Sequence, residues 1–236
     1  MELEEELRRK IAQIQPLDER AMALAKKRWD SIAHPLHSLG LLEDAIVTIA
    51  GAQGSHQVEL NKRCVTPFCA DNGVVAQGVT QSGQDVTTIV TKNFCIGEAS
   101  VCVMARVAGA DVIPVDIGVA QDVTEPGLRV HKIAYGTADI TQGPAMTREQ
   151  AADAILYGMN LVKELKEEGY RLIATGEMGI GNTTTSSALL SVLLHRPVEE
   201  MTGRGAGLSS EGLKRKIDAI HRAIEVNQPD PDDPLD

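Results

Sequence analysis

The stretch Arg171-Leu-Ile-Ala-Thr-Gly-Glu-Met-Gly-Ile-Gly-Asn-Thr-Thr184 decides the fold. Its first five residues form a short apolar run that predicts a β-strand, and the glycine-rich remainder predicts a loop over 176–184. A helix ending at Leu194 is predicted to follow. Strand, loop and helix in this order are the repeating unit of a parallel sheet with crossover helices.

Two further apolar segments predict strands that end in polar, glycine-containing loops. They cover residues 64–70 and 111–117, and Asp71-Asn-Gly73 follows the first. Pro67 lies inside the first segment. Because proline cannot donate a ladder hydrogen bond, we expect that strand at a sheet edge or at a bulge. Ligands bind beyond the carboxyl ends of parallel strands, so the three loops are expected to build the functional site.

Helical spacing of apolar residues fills the segments between these strands. Residues 85–107 predict a long helix that Gly97 interrupts, and residues 210–226 predict the last helix. Thr147-Arg-Glu-Gln150 has the pattern of a capping box and opens an amphipathic helix. The apolar positions of that helix step by three and four residues, which predicts their burial. These positions are Ala151, Ile155, Met159, Val162 and Leu165.

The first 60 residues differ from the rest because they predict helices without strands between them. Two polar helices are expected within 3–33, and a third over 38–53 with Ser38 as its N-cap. The pattern therefore predicts a helical N-terminal subdomain over 1–60 and an α/β domain over 61–236. That domain is expected to hold a parallel sheet flanked by helices.

Composition narrows the function classes. The 236 residues carry 23 Lys and Arg against 33 Asp and Glu, a net charge of −10 with histidine neutral. This balance disfavours nucleic acid as a partner, although small anions can still bind to backbone amides. The acidic start and the lack of a long apolar run predict neither a secretory signal nor a membrane span. Cys64, Cys69, Cys95 and Cys102 form no CxxC pair, which indicates buried thiols, a reducing cytoplasm and no metal site.

The loop after the third strand has the composition of an anion site. Its glycines allow a tight turn that exposes backbone amides, and the following helix adds the positive end of its dipole. A glycine-rich connector with capping threonines remains the alternative. The expected phosphate ligands in this loop are Gly176, Gly179, Ile180, Gly181, Asn182, Thr183 and Thr184.

Glu177 is the exceptional residue of that loop, because a carboxylate repels an anion. Ribose hydroxyls or a developing positive charge would each account for it. The alternative is a loop carboxylate that accepts hydrogen bonds from backbone amides.

A second glycine-rich loop, Gly203-Arg-Gly-Ala-Gly207, precedes the last helix. We expect it to close over the phosphate from the other side, with Gly203, Arg204, Gly205 and, from the helix, Lys216 as ligands. In the alternative interpretation the two cations are ordinary solvated surface charges.

The segment 71–85 mixes apolar residues with polar ones such as Thr80 and Ser82. Such a mixture predicts a pocket for a flat, weakly polar ring.

Four of these segments, taken in order, match one family. They are Ala70-Asp-Asn-Gly-Val-Val-Ala-Gln-Gly-Val-Thr80, Ala110-Asp-Val-Ile-Pro-Val-Asp-Ile-Gly118, Gly176-Glu-Met-Gly-Ile-Gly-Asn-Thr-Thr184 and Thr202-Gly-Arg-Gly-Ala-Gly207. The chain thereby resembles the nicotinate-nucleotide–dimethylbenzimidazole phosphoribosyltransferase family. The resemblance implies a Rossmann-like sheet, a homodimer, and no cofactor or metal. The implied reaction moves phosphoribose from nicotinate mononucleotide to 5,6-dimethylbenzimidazole or a related base, giving α-ribazole phosphate and nicotinate in cobalamin biosynthesis.

The resemblance also implies roles by position. Glu177 would lie at the ribose and reacting centre as the catalytic residue, and the glycine-rich loops with Lys216 would hold the nucleotide. The residues implied near the base are Asp71, Thr80, Ser82, Ile89 and Met178.

Two departures from the family pattern bear on activity. The family's general-base glutamate belongs to a C-terminal portion, and we expect it to be absent from this chain. Many members carry Gln where this chain has Thr88 and Ile89, which leaves the preferred base open. The alternatives to a complete transferase are therefore a catalytically incomplete nucleotide-binding module and a hydrolase of the mononucleotide.

Overall fold

The computed structural model describes residues 2–236. Their contacts define two compact units, one of residues up to Leu7 together with Lys62–Asp236, and one of Arg8–Asn61. The proposed division at residue 60 differs from these units in where residues 2–7 belong. Helix α1 (Glu2–Ile11) spans the change from one unit to the other.

The smaller unit is a pair of helices, α2 (Glu19–Asp30) and α3 (Leu41–Gln53). Asp18 caps α2 by accepting a hydrogen bond from the Ala21 amide at 2.9 Å. The expectation that Ser38 caps α3 is wrong. The helix begins only after Gly40, whose left-handed φ of 53° separates it from the preceding turn.

The larger unit is built on a parallel five-stranded sheet. Its central strand β1 pairs with β5 along almost its whole length. Because β5 occupies one edge of β1, β2 and β3 share the other edge, and β4 lies beyond β3. The strands are β1 (Arg63–Ala70), β2 (Asp111–Val112), β3 (Val115–Gly118), β4 (Arg129–Val130) and β5 (Leu172–Met178).

Two prolines mark the point where pairing along β1 passes from β2 to β3. Pro67 lies between Val65, which pairs with β2, and Phe68, which pairs with β3. Pro114 interrupts the predicted strand 111–117 at the same level, because it has no N–H to donate. The expectation of an edge position for Pro67 is therefore wrong, since the residue lies inside the central strand where one neighbouring strand replaces another. The expected bulge is not at Pro67 itself, because the register of β1 with β3 shifts between Cys69 and Ala70.

Helices cover both faces of the sheet. Successive side chains of a strand point to opposite faces. Cys64 packs with Leu161 and Leu165 of one helix, whereas Cys69 packs with Phe94 and Cys102 of two others. The helices involved are α4 (Asp85–Ile96), α5 (Ser100–Ala108) and α6 (Arg148–Glu167). The predicted α/β class, with a parallel sheet flanked by helices, is confirmed.

Helix α6 starts as predicted and buries the predicted Leu165, but the rest of its buried face differs from the prediction. Thr147 and Gln150 form the capping box. The predicted positions Ile155 and Val162 are 44% and 52% exposed, however. The buried side chains of α6 are Ala152, Leu156, Leu161 and Leu165.

The last three helices are α7 (Asn182–Leu193), α8 (Val198–Met201) and α9 (Ser210–Asn227). Ser209 caps α9 by accepting from the Gly212 amide at 3.0 Å. Ile220 of α9 packs between Ala188 of α7 and Val198 of α8. This packing fixes α9 beside the first turn of α7, where the site lies.

Candidate nucleotide-binding site

The loop after β5 is shorter than the sequence predicts. Residues 176–178 continue the strand, because β1 pairs with β5 as far as Met178. The turn into α7 consists of Gly179, Ile180 and Gly181 alone. Gly176, Glu177 and Met178 therefore belong to the carboxyl end of a strand and not to a flexible loop.

Two of the turn residues have to be glycine. A Cβ atom on Gly179 would overlap the carbonyl oxygen of Ala70 at the end of β1. Gly181 has a φ of 94°, in the left-handed region that side chains rarely adopt. The turn is thus pressed directly against the central strand.

Two side chains that the sequence did not single out as site residues hold this turn. Asn72 donates its side-chain amide to the Ile180 carbonyl at 3.1 Å, and the hydroxyl of Thr87 accepts from the Ile180 amide at 3.1 Å. Thr87 is fully buried. Because Asn72 lies in the loop that directly follows a predicted strand, its position at the edge where the strands end was the signal that could have found it.

Most of the backbone amides in the predicted anion-binding segment 176–184 already have hydrogen-bond partners. The Asn182 amide donates to the Gly179 carbonyl at 3.0 Å, and the Thr184 amide donates to the Gly181 carbonyl at 2.9 Å. The Thr183 amide donates to the side-chain oxygen of Asn182 at 2.6 Å. The loop therefore differs from the expected bundle of unoccupied amides, and its role as a phosphate ligand stays a prediction.

Lys216 is the dominant electrostatic feature of this region. Its side chain is buried at 1% exposure, and its ammonium donates to the Thr183 hydroxyl at 2.8 Å and to the Gly203 carbonyl at 3.1 Å. In the described part of the chain no carboxylate lies within ion-pair distance of it. Burial lowers the pKa of Lys216. The interpretation as a solvated surface charge is therefore wrong for this residue.

The loop 203–207 closes around that ammonium. Gly205 has a φ of 59°, and a Cβ atom there would lie 2.8 Å from the Thr183 hydroxyl and 3.6 Å from the Lys216 nitrogen. Arg204 instead donates to the Leu208 carbonyl at 2.7 Å. Arg204 thus braces its own loop, whereas Gly203, Gly205, Thr183 and Lys216 meet at one point.

Glu177 lies beside this cluster at the end of β5. Its side chain is exposed, and its carboxylate accepts a hydrogen bond from the side-chain amide of Asn182. That partner is a side chain and not the backbone amide of the alternative interpretation. The catalytic role of Glu177 stays a prediction.

The residues expected near the base lie on α4, on β5, directly after β1 and in the loop before α4. The Thr80 hydroxyl donates to the Ser82 carbonyl at 2.8 Å in an exposed loop. Met178 packs against the core cluster around Cys69, and Ile89 is 51% exposed on α4. Their contact with a base stays a prediction.

Asp71 connects the ends of two strands. It is 1% exposed, and its Oδ2 atom accepts from the Ala120 amide at 2.7 Å. The backbone amide of Asp71 donates to the Gly118 carbonyl at 2.9 Å, which ties the end of β1 to the end of β3. Its Oδ1 atom is buried without a partner. The carboxylate therefore fastens the loops and retains one free acceptor.

The described residues also bear on whether the chain has a metal site, a membrane-spanning helix or a reactive cysteine. Within residues 2–236, no group of three or more His, Cys, Asp or Glu side chains is arranged to hold a metal ion. No helix in that part of the chain is both long and apolar enough to cross a bilayer. The four cysteines are free, and burial raises the pKa of the Cys69 thiol to about 12, so that thiol is no nucleophile.

The chain is similar to named proteins over most of its length. The nicotinate-nucleotide–dimethylbenzimidazole phosphoribosyltransferase of Acetivibrio thermocellus is 47% identical over 215 residues, which are 91% of this chain and 61% of the relative. The enzyme of the same name from Ruminiclostridium cellulolyticum is 46% identical over 226 residues, 96% of this chain and 64% of the relative. This chain thus spans somewhat less than two thirds of the length of these relatives.

Solved structures show the same likeness. The crystal structure of CobT from Thermus thermophilus superposes with a TM-score of 0.82 at 40% identity, covering 87% of this chain and 62% of that one. A family model described as phosphoribosyltransferase matches residues 14–236. The resemblance seen in the sequence is confirmed, and the chain belongs to this phosphoribosyltransferase family.

Proposed function

We propose that this chain binds nicotinate mononucleotide and contributes to the transfer of its phosphoribose to 5,6-dimethylbenzimidazole or a related aromatic base. The products would be α-ribazole phosphate and nicotinate, in cobalamin biosynthesis. Family membership and the names of the relatives support this reaction. Because the chain spans less than two thirds of those relatives, the complete activity is part of the proposal.

The buried, unpaired ammonium of Lys216 is the observation that carries the proposal. An isolated charge away from water is strongly unfavourable. A phosphate placed between Thr183, Gly203 and Gly205 would compensate it, and charge-assisted hydrogen bonds are about twice as strong as neutral ones. The N-terminus of α7 would add the positive end of its dipole at the same place.

The chemistry requires little from the protein beyond positioning. The pyridine nitrogen of nicotinate mononucleotide is cationic, so the C1′–N bond can break with its electron pair returning to the ring and without a general acid. The incoming benzimidazole nitrogen forms the new bond to C1′, and its N–H proton passes to a general base. Glu177 next to C1′ would stabilise the positive charge that develops on the ribose.

A second candidate is nucleotide binding without turnover. It would need only the site around Lys216, whose ammonium contacts Thr183 and Gly203 in this chain. A hydrolase, in which water replaces the base, is the third. All three share the site around Lys216.

Release of nicotinate separates these candidates. The chain is incubated with nicotinate mononucleotide, with and without 5,6-dimethylbenzimidazole, and nicotinate is followed by chromatography while binding is measured by calorimetry. Base-dependent release supports transfer, base-independent release supports hydrolysis, and saturable binding without release supports the module. Failure of the nucleotide to bind would refute the proposal.

The same experiment has a matched control on α9. Lys214 is an exposed neighbour of Lys216. Lys214→Met should leave nucleotide binding unchanged, whereas Lys216→Met should abolish most of it. Equal effects of the two changes would show that only net charge matters.

We further propose a homodimer in the cytoplasm. The free thiols support a reducing compartment, and the resemblance supports the dimer. Nucleic acid is not proposed as a partner, given the net charge of −10. Light scattering of the purified chain tests the oligomeric state.

A further inference from the structure

Helix α9 presents one stripe of side chains to the segment that precedes α4. Arg215, Ala219 and Arg222 recur at helical spacing along this stripe. Arg215 donates to the Gly78 carbonyl at 3.3 Å, and Arg222 donates to the side-chain oxygen of Gln77 at 2.8 Å. Between them, Ala219 packs in a core cluster that contains Val79.

The adjacent stripe of the same helix faces α7, α8 and loop 203–207 instead. Lys216 contacts Thr183 and Gly203, and Ile220 packs against α7 and α8. Neighbouring residues 215 and 216 therefore reach into two different loops. One rigid helix forms the wall shared by the expected base region and the expected phosphate region.

A direct bond also joins these two loops. We define the base loop as residues 78–84 and the phosphate loop as residues 203–207. The side-chain amide of Gln81 in the base loop donates to the carbonyl of Gly207 in the phosphate loop. Gln81, Gly207 and Arg215 are all exposed, so these bonds are not required to complete the core.

We propose that Gln81 and Arg215 are positioning residues that couple the base loop to the phosphate loop. A sugar phosphate bound at Lys216 then strengthens the binding of the aromatic base, and the base strengthens the binding of the sugar phosphate by the same factor. This inference rests on the proposed function, because it needs the phosphate to occupy the Lys216 site.

The coupling has a simple physical origin. All residues of the phosphate loop are exposed, so ordering them costs conformational entropy. A bound phosphate orders that loop and fixes the Gly207 carbonyl that Gln81 needs. Through Gln81 the ordered phosphate loop also holds the base loop. The base therefore binds to a loop that is already ordered, and the entropic cost of ordering is not incurred twice.

The test uses a pair of ligands that cannot react. Ribose 5-phosphate occupies the sugar and phosphate positions without a leaving base. Calorimetry gives the dissociation constant of 5,6-dimethylbenzimidazole with and without saturating ribose 5-phosphate. In the unaltered chain we expect the sugar phosphate to tighten base binding by about fivefold or more.

Substitution of either positioning residue should selectively abolish the factor by which ribose 5-phosphate tightens base binding. In Gln81→Ala and Arg215→Ala the factor should fall towards one, while the affinity for ribose 5-phosphate alone stays within about twofold, because neither residue contacts the Lys216 ammonium and each loses only an exposed hydrogen bond. Arg215→Lys keeps a donor within reach of the Gly78 carbonyl and should restore part of the factor.

Two matched controls carry the same kinds of change elsewhere. Lys214→Ala removes the neighbouring exposed cation of α9. Gln15→Ala removes an exposed glutamine whose amide donates to the Gln13 carbonyl. Both should keep the full factor.

Hydrogen exchange gives a second readout that a purely structural role would not move. Ribose 5-phosphate should slow exchange in residues 78–84 of the unaltered chain, and this protection should disappear in Gln81→Ala. Thermal melts of all variants establish that they are folded.

The outcomes separate this inference from the proposed function. If ribose 5-phosphate binds but the factor is one in the unaltered chain, or is unchanged in both variants, the coupling is refuted and the phosphate site stands. If neither ribose 5-phosphate nor nicotinate mononucleotide binds, the proposed function fails and the coupling fails with it.

Discussion

The phosphate end and the base end of the candidate site are built in different ways. Around Lys216 the ammonium is buried, and Gly205 leaves no room for a side chain. The base loop is held by hydrogen bonds between exposed groups, such as Thr80 to Ser82. Such bonds contribute only about 0.5–1.5 kcal/mol each. Packing therefore fixes the Lys216 ammonium, although loop 203–207 around it is exposed, while the part that would recognise the base tolerates change.

Loss of the buried ammonium should have the largest effect. Lys216→Met should weaken binding of nicotinate mononucleotide by about 2–5 kcal/mol, because it removes the charged partner of a buried phosphate. It should also raise the melting temperature of the ligand-free chain, since an unpaired buried charge disappears. Calorimetry and thermal melts measure the two. A drop in both affinity and stability would contradict this account of the site.

Steric crowding at the turn between β5 and α7 should give the second largest effect. Gly179→Ala places a methyl group on the Ala70 carbonyl and should lower the free energy of unfolding by about 1–3 kcal/mol in urea titrations. Gly158 in α6 is the matched control, because no atom lies within 4 Å of a Cβ added there. Gly158→Ala should raise the free energy of unfolding by about 0.5–1 kcal/mol. Similar losses at both positions would show that the turn is not tightly packed.

The phosphate end should also depend on pH. Since burial lowers the pKa of Lys216, the ammonium loses its proton below the pH at which an ordinary lysine does. Nucleotide affinity should fall as pH rises through this lowered pKa. Over the window from the lowered to the ordinary value the unfolded chain binds more protons than the folded one, so the ligand-free chain gains stability with rising pH. Lys216→Met should remove both dependences, and their survival in that variant would assign them to another group.

The smallest effect is expected at the base end. Thr80→Val removes the hydroxyl that bonds to the Ser82 carbonyl and should change base affinity by less than about 1 kcal/mol, because the bond is exposed. Nucleotide affinity should be unchanged. A loss as large as that of Lys216→Met would show that both ends are equally rigid, and calorimetry with each ligand decides.

Local rules predicted the fold well where neighbours in sequence decide the structure. The Thr147 capping box and the break at Gly97 are both present, because each depends on a few adjacent residues. The predicted buried face of α6 was wrong at Ile155 and Val162, because two apolar stripes that both include Leu165 overlap in that helix. Only contacts with distant residues select the stripe of Leu161 and Leu165, which pack against Cys64 of β1.

The site was predictable in composition but not in detail. Its glycines and threonines were found because turns and helix starts favour them. The burial of Lys216 could not be predicted, since it depends on α9 packing against α7 through Ile220. The hydrogen bond from the Ile180 amide to the Thr87 hydroxyl joins residues 93 positions apart, and no local sequence pattern can predict it.

The pairing of β1 with β5 has a consequence for biosynthesis. The two strands lie side by side, yet β5 leaves the ribosome more than a hundred residues after β1. At common translation rates one edge of the central strand therefore waits roughly 5 to 20 s for its partner. During that interval the nascent chain exposes an unpaired hydrophobic strand, the kind of surface to which chaperones bind.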